Sequence, residues 1–249
     1  SYPAEAFDAE TAAHKTAEFA QAMREADPSI ELIGWGQSSR HHPRWAAPML
    51  EAAGEHLQYL AFHVHPGLHA EPGEIPIRDW RLDPATAWAR LMQGHLAFER
   101  EIEKMRRETE GADIDLAMTE GHFNLRDLHR GDVLHTWAAG LAYARCLHVF
   151  EKHGDRLKIA TLADFAGTRW SNNAIFVETP HRPRPGGAWL MPVANVMSLY
   201  RHHRGQHRYD ATCNSEHLDV AASGDADRVV LHVVNTSMHQ AATTDFAIA

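Results

Sequence analysis

The segment Asp113–Asn124, DIDLAMTEGHFN, decides how this chain is read. Ile114 to Met118 is a short apolar run, with a Gly-Ala turn before it and Gly121 after it, and runs of this kind form buried strands. It delivers one carboxylate, Glu120, at its end. A glutamate at the C-terminal lip of such a strand, followed by a loop and then a long helical pattern, stands where parallel barrels keep their chemistry. Glu120 is therefore the first candidate for a reacting group. The plainer reading makes it a strand-end residue that caps the turn at Gly121.

The same rhythm extends to both sides. Asp8 is placed to cap a helix whose apolar positions Ala12, Phe19, Ala20 and Met23 recur at helical spacing, and Asp27-Pro28 stops it. Ile30 to Trp35 reads as a strand ending in Gly-Trp-Gly, and a helix from Pro43 carries Trp45, Met49, Leu50 and Ala53. Leu57 to Val64 is the next strand, closing on His63-Val64-His65-Pro66-Gly67. Asp83-Pro84 starts a helix with an apolar stripe of Trp88, Leu91, Met92, Phe98, Ile102 and Met105. Beyond Glu120, a helix from Asp132 to about His153, a strand from Leu157 to Leu162 and a helix from about Met191 to His203 complete four strand and helix units. Such alternation predicts an α/β fold with a parallel sheet and helices outside it. After a boundary near Gln206 the pattern changes to short alternating strands, Tyr209–Cys213, Leu218–Ala221, Val229–Asn235 and Thr243–Ile248, joined by Gly, Asp and Ser turns. These predict an antiparallel portion over residues 207–249, set after a first domain over 1–206.

Composition bounds the function classes. The chain has 249 residues, 44% of them apolar, enough for a sizeable core. Its net charge of −9 leaves no footprint for nucleic acid. No apolar run reaches the roughly 18 residues a membrane span needs, so neither a nucleic acid nor a membrane is an expected partner. Cys146 and Cys213 follow no metal or redox spacing and read as plain thiols in a reducing, cytoplasmic compartment. Asn235-Thr236-Ser237 fits a glycosylation acceptor but ends a strand. Of the 20 histidines, His14, His148, His153, His202 and His203 read as solvated helix positions.

At this point the residues resemble a known family. Thr16 through Asp27-Pro28-Ser29-Ile30-Glu31-Leu32, the strand end Phe62-His63, the Thr119-Glu120-Gly121-His122-Phe123-Asn124 carboxylate segment, and the stretch from Trp137 through Lys158-Ile159-Ala160 to Gly205 look like glycoside hydrolase family 51. The resemblance covers about residues 10 to 235, and the order and spacing of the motifs are more specific than any one of them. It implies an α-L-arabinofuranosidase of the clan of barrel glycosidases, with a catalytic (β/α)8 barrel and a β-sandwich, acting on a carbohydrate substrate without a metal or other cofactor and assembling as a homo-oligomer.

Residue by residue, the family's nucleophile, in an Asp-Glu-Trp-Asn motif at the end of strand seven, falls on Glu120. The histidine and tyrosine of its strand-six His-Arg-Tyr motif fall on His63 and His65. Its general acid/base sits in an Asn-Glu pair at the end of strand four, and no such pair precedes Asp8. The resemblance thus makes this chain the C-terminal half of the barrel, strands five to eight, followed by antiparallel β-sandwich strands, and makes the N-terminal half a missing partner segment. Two departures stand out. The aromatic after the nucleophile is replaced by Gly121, with the asparagine displaced to Asn124, and the strand-eight motif Asn-Leu-Ala-Gln becomes Thr161-Leu162-Ala163-Asp164, which adds a carboxylate.

Two carboxylates suit this chemistry because glycoside cleavage passes through an oxocarbenium-like state. One must attack or stabilise the anomeric carbon while a protonated one supplies the leaving oxygen with its proton. Around Glu120, Trp35 offers an indole for stacking on a sugar or for filling the barrel lip. His122 and Asn124 lie in the following loop, and Trp170, Asn172 and Asn173 offer an indole with amides suited to sugar recognition or to turns. Two rival readings remain at this level. His63-Val64-His65 is an H-x-H pair of the sort barrel amidohydrolases use to hold a water-activating metal, with Glu120 and Asp164 as further ligands. A non-catalytic carbohydrate-binding relative is the other.

Overall fold

The computed structural model describes residues 8–40, 42–67, 80–123, 132–168, 173–178 and 186–247. The chain divides into two units, one of residues 1–64, 99–121 and 153–161 and another of residues 65–98, 122–152 and 162–249. Among the described residues its α-helices are α1 (Ala9–Ala26), α2 (Ala46–Ala53), α3 (Pro84–Gln93), α4 (His95–Glu108), α5 (Trp137–Lys152) and α6 (Pro192–His202). No helix among the described residues is long and apolar enough to cross a membrane.

The first unit is built on a four-stranded parallel sheet, β1 (Ile33–Trp35), β2 (Tyr59–Val64), β3 (Asp115–Gly121) and β4 (Leu157–Ala160), arranged in sequence order. Sequential parallel order requires a crossover between each pair, as the alternating pattern predicts. Leu60, Phe62, Leu116 and Met118 are fully buried, and Ile102 and Met105 of α4 are too. Helix α1 begins where Asp8 accepts from the Thr11 N–H at 2.7 Å, and Thr11, through its side chain first and its N–H second, holds the Asp8 carboxyl below its ordinary range. It packs through small residues: Ala13 and Ala20 join Ala46, Met49, Ala53, Leu57, Leu60 and Ile114 in one cluster. The expected stripe is corrected on this helix. Phe19 is 66% exposed and Met23 48%, because the alanine face is the one that permits close approach to α2.

The second unit holds two three-stranded sheets. In one, β5 (Asp164–Gly167) runs parallel to β6 (Asn173–Val177), which pairs antiparallel with β7 (Ala188–Leu190). The sequence pattern did not reveal these strands, which are three to five residues long, below the length at which a period of two is legible. In the other, β8 (His207–Tyr209), β9 (Leu218–Gly224) and β10 (Val229–Asn235) form the expected antiparallel ladder, ordered β10-β9-β8. Its first strand falls two residues earlier than Tyr209–Cys213. The strand expected at Thr243–Ile248 is absent over the described residues 243–247. Before it, past the end of β10, the chain turns with the Ser237 N–H donating to Asn235 Oδ1 and Asn235 Nδ2 donating to the Gln240 carbonyl.

The stripe read as one helix over 84–105 is two. The N–H of Gly94 bonds to the Leu91 carbonyl at 3.0 Å and α3 ends there. A Cβ on Gly94 would lie 2.5 Å from Cε1 of Phe123, a fully buried ring packed against Phe98 and Tyr143. Since the ring is hemmed in, Gly94→Ala is expected to cost about 1–3 kcal/mol as overpacking, read as a lowered melting temperature with an unchanged fold by circular dichroism. Burial in the same unit pushes the Tyr143 phenol and the Cys146 thiol far up, which makes Cys146 an inert core residue.

Two histidines read as solvated helix positions are corrected: His148 of α5 and His153, just past its end, are both buried. His148 Nδ1 lies 3.2 Å from Asp219 Oδ1, and Tyr200 Oη lies 2.5 Å from His148 Nε2. A carboxylate only accepts, so Nδ1 carries a proton towards Asp219. Arg145 completes the group by donating from Nε to Asp219 Oδ2 at 2.5 Å.

Candidate active site

Glu120 is the penultimate residue of β3, at the C-terminal end of the parallel sheet. The register between β2 and β3 shifts just before it: Phe62 stands opposite Met118, yet His63 stands opposite Glu120. Thr119 is the extra residue of this bulge, and such irregularities re-aim side chains at strand ends. The bulge puts three side chains of two strands together. His63 Nε2 lies 3.1 Å from the Thr119 hydroxyl, and His63 Nδ1 lies 3.6 Å from Glu120 Oε2. One imidazole therefore faces a hydroxyl with one nitrogen and the carboxylate with the other.

Other groups of the first unit hold that imidazole in place. Trp35, at the end of β1, meets the His63 ring edge-on at 4.7 Å between centroids and an interplanar angle of 81°. Trp35 thus supports the histidine directly. Gln37, two residues on, spans the whole His63 peptide: its Nε2 donates to the His63 carbonyl at 2.8 Å and its Oε1 accepts from the His63 N–H at 3.0 Å. The β1 strand has ended by this point, so a side-chain amide continues its ladder. The same Nε2 donates to Glu101 Oε1 at 2.9 Å, and Lys104 donates to that oxygen at 3.1 Å. Sequence reasoning missed Gln37, Glu101 and Thr119. The only local signal was a glutamine beside the Gly-Trp-Gly turn.

Gly121 explains the loss of the aromatic at its position. A Cβ there would lie 2.6 Å from Met118 Cε and 2.8 Å from the Thr161 carbonyl oxygen. Backbone does not yield as a flexible side chain does, so no side chain fits. Gly121→Ala is expected to part β3 from β4 locally, costing about 1–3 kcal/mol and shifting Glu120. The check is a lowered melting temperature together with slower labelling of Glu120 by the reagent described below.

Further candidates lie in the second unit. His65 and His122 approach ring to ring, with centroids 4.3 Å apart and planes tilted 39°, and His122 Nδ1 lies 3.9 Å from Asp164 Oδ1. Asp164 opens β5, directly after Ala163, which is the one non-glycine residue among those described with a left-handed φ, 64°. A left-handed alanine is strained, and strain of this kind collects where a side chain must be aimed. Asn173, offered as a sugar-contacting amide, is buried at the start of β6, where a Cβ on Gly167 would lie 2.6 Å from its Oδ1. Asn124, Trp170 and Asn172 lie outside the described residues.

Comparison with known proteins gives this geometry a context. Residues 128–248 match the family model of the alpha-L-arabinofuranosidase C-terminal domain. An intracellular exo-alpha-(1->5)-L-arabinofuranosidase of Acetivibrio thermocellus is 26% identical over 211 residues, which is 72% of this chain and 40% of that protein. The structure of a family 51 alpha-L-arabinofuranosidase from Bifidobacterium longum superposes with a TM-score of 0.63 at 18% identity, over 94% of this chain and 50% of that one. A family 86 beta-porphyranase from Bacteroides plebeius superposes with a TM-score of 0.58 at 15% identity, over 91% of this chain and 41% of its own. The chain thus spans half or less of the length of these relatives, and the fold is shared with glycosidases of different named substrates. Residues 128–248 match the arabinofuranosidase C-terminal domain, and the chain along most of its length is similar to family 51 arabinofuranosidases.

Proposed function

We propose that this chain supplies the nucleophile of a retaining glycoside hydrolase that removes terminal α-L-arabinofuranosyl or similar residues from plant-type polysaccharides or oligosaccharides. The observation that carries the reading is Glu120 at the C-terminal end of β3, with the His63 imidazole held between it and the Thr119 hydroxyl. In this scheme the Glu120 carboxylate attacks the anomeric carbon as the glycosidic C–O bond breaks, and a carboxylic acid outside this chain gives its proton to the leaving oxygen. That acid, now a base, then takes a proton from water, which displaces Glu120 and restores both groups. The sequential parallel order of β1 to β4 supports strands five to eight of a (β/α)8 barrel in residues 1–206, with a β-sandwich portion in 207–249. The other half of the barrel is supplied by residues outside this chain. The name of the Acetivibrio relative supports a location inside the cell, and the assembly is a homo-oligomer.

The test uses the protein that carries this chain and an arabinofuranosyl cyclophellitol-type epoxide or aziridine, followed by intact mass and peptide mapping. One label per chain, on Glu120, supports a retaining glycosidase. No label together with stoichiometric zinc lost on mutation of His63 or His65 would replace it with a metal-dependent hydrolase. Sugar binding without label or metal would leave a non-catalytic relative.

A further inference from the structure

Away from Glu120, the first unit brings together a second group of donors. Glu99 and Glu103 lie one turn apart on α4, where like charges at this spacing repel. His153, between α5 and β4, is only 7% exposed, and its Nε2 is sealed from solvent. One ligand atom from each of the three side chains lies within 4.8 Å of the others.

We propose that Glu99, Glu103 and His153 form a site for a first-row divalent cation, with zinc the best fit, that ties α4 to the turn before β4. Carboxylate oxygen and imidazole nitrogen are donors that zinc takes at about 2.0–2.2 Å, and the exposed Glu103 side chain has room to adjust towards them. The exposed side of Glu103 leaves the fourth position to water. Cation charge also removes the repulsion between the two glutamates. The frame is already fixed: the N–H groups of Arg156 and Leu157 both donate to the His153 carbonyl, at 3.0 and 2.8 Å. Arg106 of α4 grips both oxygens of Asp155, at 2.7 and 2.8 Å. A site whose supporting groups are held in this way loses little entropy on binding. The site does not depend on the reading of Glu120.

The experiment is equilibrium dialysis of the chelator-stripped protein against zinc, with metal analysis, and melting with and without zinc. The wild type is expected to hold one zinc per chain more than Glu99→Gln/Glu103→Gln. Its melting temperature should rise by about 5–10 °C at a hundredfold excess over Kd, and the double variant should lose that rise. Glutamine removes the charge repulsion without removing bulk, so the metal-free double variant folds and melts no lower than the wild type. His153→Gln is the third arm and loses the same zinc. Equal zinc content and an equal zinc-dependent rise in wild type and double variant would overturn the site, because other histidines would then account for the metal. No zinc-dependent rise in the wild type would overturn it as well.

Discussion

Replacing Glu120 by glutamine is expected to abolish covalent labelling and to lower turnover by at least about a thousandfold, since removing a nucleophile that acts with its partner groups costs several orders of magnitude. The side chain is 57% exposed and carries no packing role, so the melting temperature should stay within about 1 °C of the wild type, as for ordinary surface positions. That combination separates a chemical role from the plainer turn-capping one, which would move stability and leave labelling intact. Glu120→Ala adds a stereochemical test. With the carboxylate gone, azide fits the vacated space and attacks the anomeric carbon from the same side, forming a glycosyl azide of inverted configuration. Restored cleavage of an activated aryl glycoside with that product identifies Glu120 as the group that attacks. Failure of azide to restore any cleavage, with full activity retained by Glu120→Gln, would move the nucleophile elsewhere.

His63 should behave differently from Glu120. Its imidazole bridges Thr119 and Glu120 and its peptide is clamped by Gln37, so under the proposed reaction its part would be to orient the carboxylate. This arrangement shows what was legible in the sequence. The apolar runs around Leu60 and Leu116 were readable as strands because each is bounded by turn residues, and their order follows from the helices between them. The bulge at Thr119 was not, because a register shift depends on the partner strand. Gln37 was missed for the same reason: a glutamine replaces missing strand pairing only where a neighbouring strand runs past the end of its own. Gly94 looked like a tolerated interruption of a helical stripe, and the ring of Phe123 that makes it a boundary lies 29 positions away in the chain. His148 sits at a helical position that propensity leaves to solvent. Its burial is decided by Asp219 on β9 and Tyr200 on α6, which no local window contains.

Asp219 carries the second large effect. Its carboxylate is four-fifths shielded and bound by both Arg145 and His148, so Asp219→Ala leaves a guanidinium and an imidazole facing each other in the interior of the second unit. Removing one partner of a buried charged group costs about 3–5 kcal/mol, which lowers the melting temperature of a domain of this size by about 6–20 °C. Acidity reads the same group. Burial by itself would raise the Asp219 pKa, but hydrogen bonds from His148 and Arg145 and the charge beside them outweigh it and bring it down to about 2. An acid lowered on folding contributes stability that is present above its ordinary value of 3.8 and is lost as pH falls towards 2. The contribution is about 2 kcal/mol, and Asp219→Asn should abolish that part of the acid slope. His232 governs a higher window. Its ring stacks on Tyr200 with centroids 3.9 Å apart, and burial first, then the charge of His148, lowers its pKa below 6.5. The unfolded chain takes up that proton and the folded chain does not, so stability falls as pH drops through about 6.5. Glu151 of α5, raised by burial, tilts the curve the opposite way above its own ordinary value, and His203 adds a further charge near the ring. The His232 contribution is therefore read by difference: melting curves of His232→Phe between pH 7 and 5 should be flatter than those of the wild type, while the slope between pH 4 and 2 is unchanged. A wild-type slope in both windows for both variants would show that neither group titrates on unfolding as this packing requires.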